Sequence, residues 1–377
     1  MAAGKDKTGG MRHIDVVIVG GGAMGSAAAW QLARRGAGVL LLEQYEAGHN
    51  RGGSHGSARI VRLAYADPFY VELAATAMDR WAELEDEAGE RLVVETGVID
   101  HGDRPTVQAL AAAMEAVGYR AEWLSPRQAT GRWPGLAFDG DVLYQPRGGR
   151  VHADRAVAAL QRLAAGHGAE IRHGVRVESI SPLPSGAEVR TAVGALRAKQ
   201  VVVAAGSWAP KVLAGVIAPP DLVVSLEQPA HFRPHDWSTP WPSFIHHQTD
   251  ATTRRGLSPR GTYGMASPDG VKVGFHGVGP EIDPDSGREP DPVALRELQD
   301  YVRRWIPGVN ADTAEPAPCP YDLTETSDFL IDRVGEVTIA AGFSGHGFKF
   351  TPEIGRMVAD LVLTDTQSPE RFRIRPV

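Results

Sequence analysis

The sequence predicts a bilobal α/β protein, with one lobe around a parallel sheet and the other around a mixed or antiparallel sheet. Three observations predict it. A buried strand, a glycine turn, a helix and a second strand open the chain at 14–43. Strand patterns suited to the same parallel sheet return near 170–205 and again near 336–341. Between 216 and 300, strand-like stretches such as "LVVSLEQPAHF" and "GVKVGFHG" are separated by Pro, Asp and Gly, which suits antiparallel pairing better than further βαβ units.

The opening elements follow from residue type. "DVVIVG" is a Val/Ile run typical of a buried strand, "AMGSAAAWQLARRG" is a helix ended by Gly36, and "AGVLLLE" is a second parallel strand ending at Glu43. Gly20, Gly22 and Gly25 form a G-x-G-x-x-G turn between them. Gly20 permits the tight turn, Gly22 lets backbone approach a pyrophosphate, and Gly25 lets helix and strand pack closely. The helix N-terminus then offers free N–H groups to phosphate. Glu43, 23 residues after Gly20, is placed for a ribose 2′-OH and disfavours a 2′-phosphate. This is a Rossmann-like dinucleotide site, and the motif alone does not separate FAD from NAD.

A Gly/Ser-rich loop, "GSHGSAR", comes next. Apolar spacings of three and four then predict a helix from about Phe69 to Glu87, and another over "GDRPTVQALAAAMEAVGY". A helix at 153–165 leads into a strand, "AEIRHGVRVESI", and "GALRAKQVVVAAG" follows as the next strand. "DPVALRELQDYVRRWIP" reads as a helix, and "GEVTIAAGFSGHGFKFTPEIGRMVADLVL" as a strand, a glycine turn and a last helix. The expected division is discontinuous. Residues 11–90, 151–215 and 320–377 form the nucleotide domain, residues 91–150 and 216–319 the substrate domain, and residues 1–10 a flexible leader.

Composition narrows the class. The net charge of −7 argues against nonspecific nucleic-acid binding, and no apolar run is long enough to span a bilayer. The leader lacks the apolar core of a secretory signal. A single cysteine, Cys319, excludes an intramolecular disulfide and a cysteine-cluster metal site, and a cytoplasmic location is the natural expectation. Cys319 lies between Pro318 and Pro320. Pro320 restricts Cys319 to extended backbone and Pro318 has its own φ fixed, so the sulfur is presented with little freedom. Composition by itself favours a buried cysteine acting as a small hydrophobe.

Four further segments in order, "GSHGSARIVRLAY", "GVKVGFH", "CPYDLTETSDFLID" and "AAGFSGHGFKF", give the chain from about His13 onward a resemblance to a known family. It resembles the monomeric sarcosine oxidase and N-methyltryptophan oxidase family, among the glycine-oxidase and D-amino-acid-oxidase-like flavoproteins. The resemblance implies a bilobal flavoprotein with a Rossmann-like FAD-binding domain and a mixed-sheet substrate domain. It implies a monomer that oxidises a secondary N-alkyl amino acid, transferring hydride to FAD. The imine is then hydrolysed and O2 is reduced to H2O2. It implies FAD held covalently through an 8α-S-cysteinyl bond to Cys319.

The resemblance also implies roles for single residues. Arg62 and Lys349 would clamp the substrate carboxylate, a task that suits a bidentate guanidinium and a point charge. Arg59 would sit near the flavin ring and favour negative charge on it, and Lys272 would serve oxygen activation. Tyr263 and Tyr321 would line the substrate cavity, and His276 would contact bound ligand. His55, Val175, Gly345, Gly347 and Lys349 would join Gly20, Gly22, Gly25 and Glu43 at the cofactor, and His346 would support it. No metal is expected.

The chain departs from the family pattern at Pro320, at Ala58 where a threonine occurs, at the lone His55 where some members have two histidines, and over 234–262. The last stretch lies where substrate-facing loops are expected; its Arg254 and Arg255 read first as solvated cations and second as candidates for binding a second acidic group. Oxidation of L-pipecolate, an N-methyl aromatic amino acid or a glycated amino acid therefore stays open on the same fold. An NAD-linked dehydrogenase fits the first βαβ unit but not Cys319, Lys272 and the C-terminal glycine turn, and a non-catalytic flavoprotein does not fit the set Arg59, Arg62, Lys272 and Lys349.

Overall fold

The structure is a computed structural model that describes residues 13–217, 222–252 and 259–374. The leader 1–10, Arg254 and Arg255 lie outside the described residues.

Three distant parts of the chain meet in one eight-stranded sheet. Strand His13–Val19 lies parallel between Val39–Leu42 and Gly194–Val203. Glu170–Arg172 extends one side and Val337–Ala341 the other, both parallel, and Leu330–Val334 closes the latter edge antiparallel. The strand expected over "AEIRHGVRVESI" is two strands. Gly174, at φ +70°, turns the chain, so Glu170–Arg172 joins the parallel sheet while Val177–Pro182 pairs antiparallel with Ala187–Thr191. Gly194–Val203 serves both arrangements: its first half pairs antiparallel with Ala187–Thr191 and its second half parallel with the opening strand.

Helix Ala23–Ala33 is buried along its whole length. It packs against helices Ala153–Gly166 and Thr351–Leu363 beside the sheet, which is why its sequence carries alanine where a surface helix carries charge. Helix Pro68–Ala88 extends the predicted one by a residue at each end. It is capped by the Asp67 side chain and ended by Gly89 in the left-handed region.

The second eight-stranded sheet is antiparallel apart from one pair. Strands Val98–Gly102, Val142–Gln145 and Glu122–Leu124 join strands drawn from 230–316, and Ser243–Thr252 runs parallel to Val98–Gly102. This pairing brings strands from 91–150 and from 216–319 into one sheet. The amphipathic helix Pro292–Trp305 buries Leu298, Tyr301 and Val302 in the core of this sheet. A separate two-stranded ribbon pairs Val223–Glu227 with Cys319–Leu323, so Cys319 begins a strand rather than sitting in a turn. Among the described residues no helix is long and apolar enough to cross a membrane.

Candidate active site

One continuous cavity of about 1040 Å³ runs between the two sheets. At one end are Gly20, Gly22 and Glu43; Val175 follows; and at the other end are Cys319, Lys272, His276, Arg62 and Lys349.

The nucleotide end is set by the glycine turn. A Cβ on Gly25 would stand 1.9 Å from the Gly20 carbonyl oxygen, so the first turn of the helix rests directly on the loop. Glu43 accepts from the backbone N–H of Gly21 (2.7 Å) and of Tyr45 (2.9 Å), and stands 3.4 Å from His49. Burial by itself would raise the Glu43 carboxyl pKa. His49 and the two N–H groups outweigh it, so the group is held below its ordinary value and remains ionised. Val175 donates its N–H to the Glu43 carbonyl (2.8 Å), which ties this wall to the end of the second strand.

Strand geometry positions the other end. In Cys319–Leu323, residues two apart share a face, so Cys319 and Tyr321 point the same way. The Cys319 Sγ is 3.8 Å from Arg59 Nη2, and both lie close to the Gly53 carbonyl. Arg59 Nη1 also donates to the Ala58 carbonyl (2.8 Å), which fixes the guanidinium beside the sulfur. The glycine turn 342–347 lies against the same ribbon. Gly345 has φ +73°, and a Cβ there would lie 2.1 Å from the Tyr321 ring. Gly347 lines the cavity next to it.

Lys272 breaks a valine-rich alternation, a pattern that usually marks a solvent face. It is buried instead, at 4% exposure, in a strand whose residues are all buried. Burial, with the Arg59 charge nearby, lowers its pKa to about 7. The same two causes, with Lys272 itself, lower His55 to about 3, and His55 Nε2 is buried without a hydrogen-bond partner.

Arg62 and Lys349 flank one tyrosine. The Arg62 guanidinium lies 4.8 Å from the Tyr65 ring centre, and Lys349 Nζ donates to Tyr65 Oη (2.9 Å) and to the His346 carbonyl (2.8 Å). Burial and the Arg62 charge hold the Lys349 pKa well below its usual value. His276 is lowered to about 4 by burial, then by Lys349 and Arg62, so it is a neutral imidazole. Its ring stands 5.7 Å from that of Tyr321, whose hydroxyl is 3.5 Å from that of Tyr263. Burial raises both phenols. His346 has both ring nitrogens occupied, by Tyr65 Oη (3.2 Å) and the Ser327 carbonyl (3.0 Å), which suits a supporting role.

Sequence reasoning missed the support behind Arg62. Asp100 is fully buried and does not line the cavity. Its Oδ1 lies 2.9 Å from His247 Nε2 and 3.7 Å from Arg62 Nη1, and its Oδ2 accepts from Gln145 (2.9 Å). Gln145 in turn accepts from the N–H groups of Leu63 and Ala64, so it braces the backbone that carries Arg62. No local pattern marks these residues. They meet only because three strands pair side by side.

His101, Asp139 and His246 place one potential ligand atom each within 4.8 Å of the others. The two imidazoles stack at 4.3 Å and 15°. An imidazole binds metal in its ring plane, so one ion cannot be bound by both rings as they stand.

The residues fit the expected FAD. A helix N-terminus and an ionised acid end one arm of the cavity, and a buried His55 nitrogen without a partner lies with a sulfur, an arginine and a lysine at the other. Comparison with known proteins agrees. A family described as FAD dependent oxidoreductase matches residues 15–361. The chain is 34% identical over 371 residues to monomeric sarcosine oxidase of Streptomyces avermitilis, covering 93% of this chain and 94% of the relative. It is 31% identical over 373 residues to monomeric sarcosine oxidase of Bacillus sp. strain NS-129, covering 93% of each. The open form of NikD, described as an unusual amino acid oxidase essential for nikkomycin biosynthesis, superposes with a TM-score of 0.84 at 28% identity, covering 96% of this chain and 97% of that one.

Proposed function

The chain belongs to the FAD dependent oxidoreductase family, and from that premise we propose that it is an FAD-dependent amine oxidase of the sarcosine-oxidase type, acting on a secondary N-alkyl amino acid. The observation that carries this reading is one cavity that joins a dinucleotide turn to Cys319, Lys272, Arg62 and Lys349. When bound, FAD supplies oxidation of the C–H bond next to the amine nitrogen and passes the electrons to O2, giving H2O2.

The residues divide the remaining work. Gly20, Gly22, Gly25 and Glu43 would hold the adenosine and pyrophosphate. Arg59 and His55 would face the flavin, and Cys319 is the residue that would carry it as a thioether. Arg62 and Lys349 receive the substrate carboxylate, and both contact Tyr65, Arg62 at its ring and Lys349 at its hydroxyl. Tyr263, Tyr321 and the neutral His276 form the wall beside the amine. Lys272 offers an ammonium or an amine near neutral pH and favours negative charge developing on oxygen. Oxidation requires the amine with its lone pair free. The positive charge of Arg62 beside the site favours loss of the ammonium proton, so no dedicated base is assigned.

The test is amine-dependent peroxide production without added NAD, measured across N-methylglycine, N-methylated amino acids, pipecolate and glycated amino acids. Turnover of none of them overturns the reading. Acid-denatured protein should stay yellow, and a Cys319→Ala variant should release its flavin and lose most activity. Flavin that remains acid-stable in that variant removes Cys319 from its role.

A further inference from the structure

We propose that His247 is the contact for a second carboxylate on the substrate, so that the preferred substrates are secondary amino diacids. The inference rests on the amine-oxidase reading above and names the substrate class of the same site.

His247 lies on strand Ser243–Thr252 and lines the cavity, as does Ile245 two residues before it. Its Nε2 is held by Asp100 at 2.9 Å, which orients the ring and leaves Nδ1 as the ring nitrogen for a ligand. The same Asp100 oxygen lies 3.7 Å from Arg62, so His247 and Arg62 stand side by side. An anion arriving at Nδ1 brings a proton onto that nitrogen while Nε2–H keeps its bond to Asp100. The protein thus supplies the counter-charge behind the ring before the ligand arrives.

The groups on this wall suit a second carboxylate. One amino-acid carboxylate is served by Arg62 and Lys349. His247 adds a third donor on the same wall, and the acid that balances it is enclosed behind the wall at 0% exposure. Two acids that line the cavity nearby already have partners. Asp67 is paired with Arg371, and Asp328 with Arg371 and Tyr70. His276 is held neutral and Tyr263 protonated, so neither competes as an anion. Arg62, Lys349 and His247 therefore offer more hydrogen-bonding groups on this wall than a single carboxylate uses.

The test measures kcat/KM for N-methylglycine, N-methylaspartate and iminodiacetate with the flavin-loaded enzyme. The wild type should prefer at least one diacid by about tenfold or more, the scale of one added charge-assisted hydrogen bond. His247→Gln should lower the diacid to N-methylglycine ratio by a similar factor. Equilibrium binding of thiodiglycolate against (methylthio)acetate, read from the flavin absorbance without turnover, should show the same preference in the wild type and the same fall in His247→Gln. A wild type that oxidises N-methylglycine as well as the diacids overturns the inference and leaves the amine-oxidase reading intact. Equal loss on all substrates in His247→Gln reduces the residue to a brace for Asp100. Oxidation of no amine at all defeats the underlying reading instead.

Discussion

Replacing Lys272 by Met tests whether the protein holds a buried amine against an electrostatic cost. Lys272 is 4% exposed, and its pKa falls from 10.5 to about 7, chiefly through burial. Between those values the unfolded chain binds a proton that the folded protein does not, so stability rises with pH through that window. The cost is fully present below about pH 7 and is gone above about 10.5. At about 1.4 kcal/mol per pKa unit the whole shift corresponds to about 5 kcal/mol. Met has nearly the same length and no charge, so the variant escapes the cost. Lys272→Met should be more stable than its parent by up to about 4 kcal/mol at pH 7, and the advantage should shrink by about 2 kcal/mol at pH 9. The assay is urea unfolding followed by circular dichroism, with both proteins in a Cys319→Ser background stripped of flavin and with equal m-values. An advantage of the same size at both pH values refutes the depressed pKa. A variant less stable at pH 7 refutes the burial argument altogether. In the flavin-loaded enzyme the same substitution should chiefly slow reoxidation by O2. Stopped-flow traces in which only amine oxidation slows would take Lys272 out of its assigned role.

Three further outcomes follow from the geometry. Gly25→Ala places a methyl 1.9 Å from the Gly20 oxygen, so the helix must leave the turn; a loss of about 1–3 kcal/mol and weakened FAD binding are expected, checked by thermal unfolding and flavin retention. Asp100→Asn cannot accept from both His247 and Gln145 while keeping its charge beside Arg62; KM for the amino-acid substrate should rise more than kcat falls, by about tenfold, and an unchanged KM contradicts the brace. His276, lowered to about 4 by burial and the Lys349 charge, is neutral at working pH; His276→Asn should keep every inflection of the kcat/KM profile between about pH 6 and 9, and a lost inflection would show that His276 titrates there.

The legible parts of the sequence were those where one short segment contains its own physics. The glycine turn announced itself because backbone approach, helix packing and strand burial all act within 14–43. The helices Pro68–Ala88 and Ala153–Gly166 fell within a residue of expectation, since capping and apolar spacing are local. "AEIRHGVRVESI" was misread as one strand because Gly174 is compatible with either continuation, and only the partners on each side decide where the chain turns.

By itself, then, the sequence determined the bilobal α/β class, the dinucleotide turn and, through resemblance, the set of residues around the flavin. The tertiary structure decided what those residues experience. Lys272 reads as a surface interruption until its strand pairs with Ala230–Pro234 on one side and Pro259–Ser267 on the other and is buried, and burial is what moves its pKa. Asp100, Gln145 and His247 are unremarkable letters spread over 147 positions, and they become one support for Arg62 only when Val98–Gly102 takes Val142–Gln145 on one side and Ser243–Thr252 on the other. Charge and hydrogen bonding act over a few ångströms, and strand pairing across the sheet, not spacing along the chain, sets which groups stand that close.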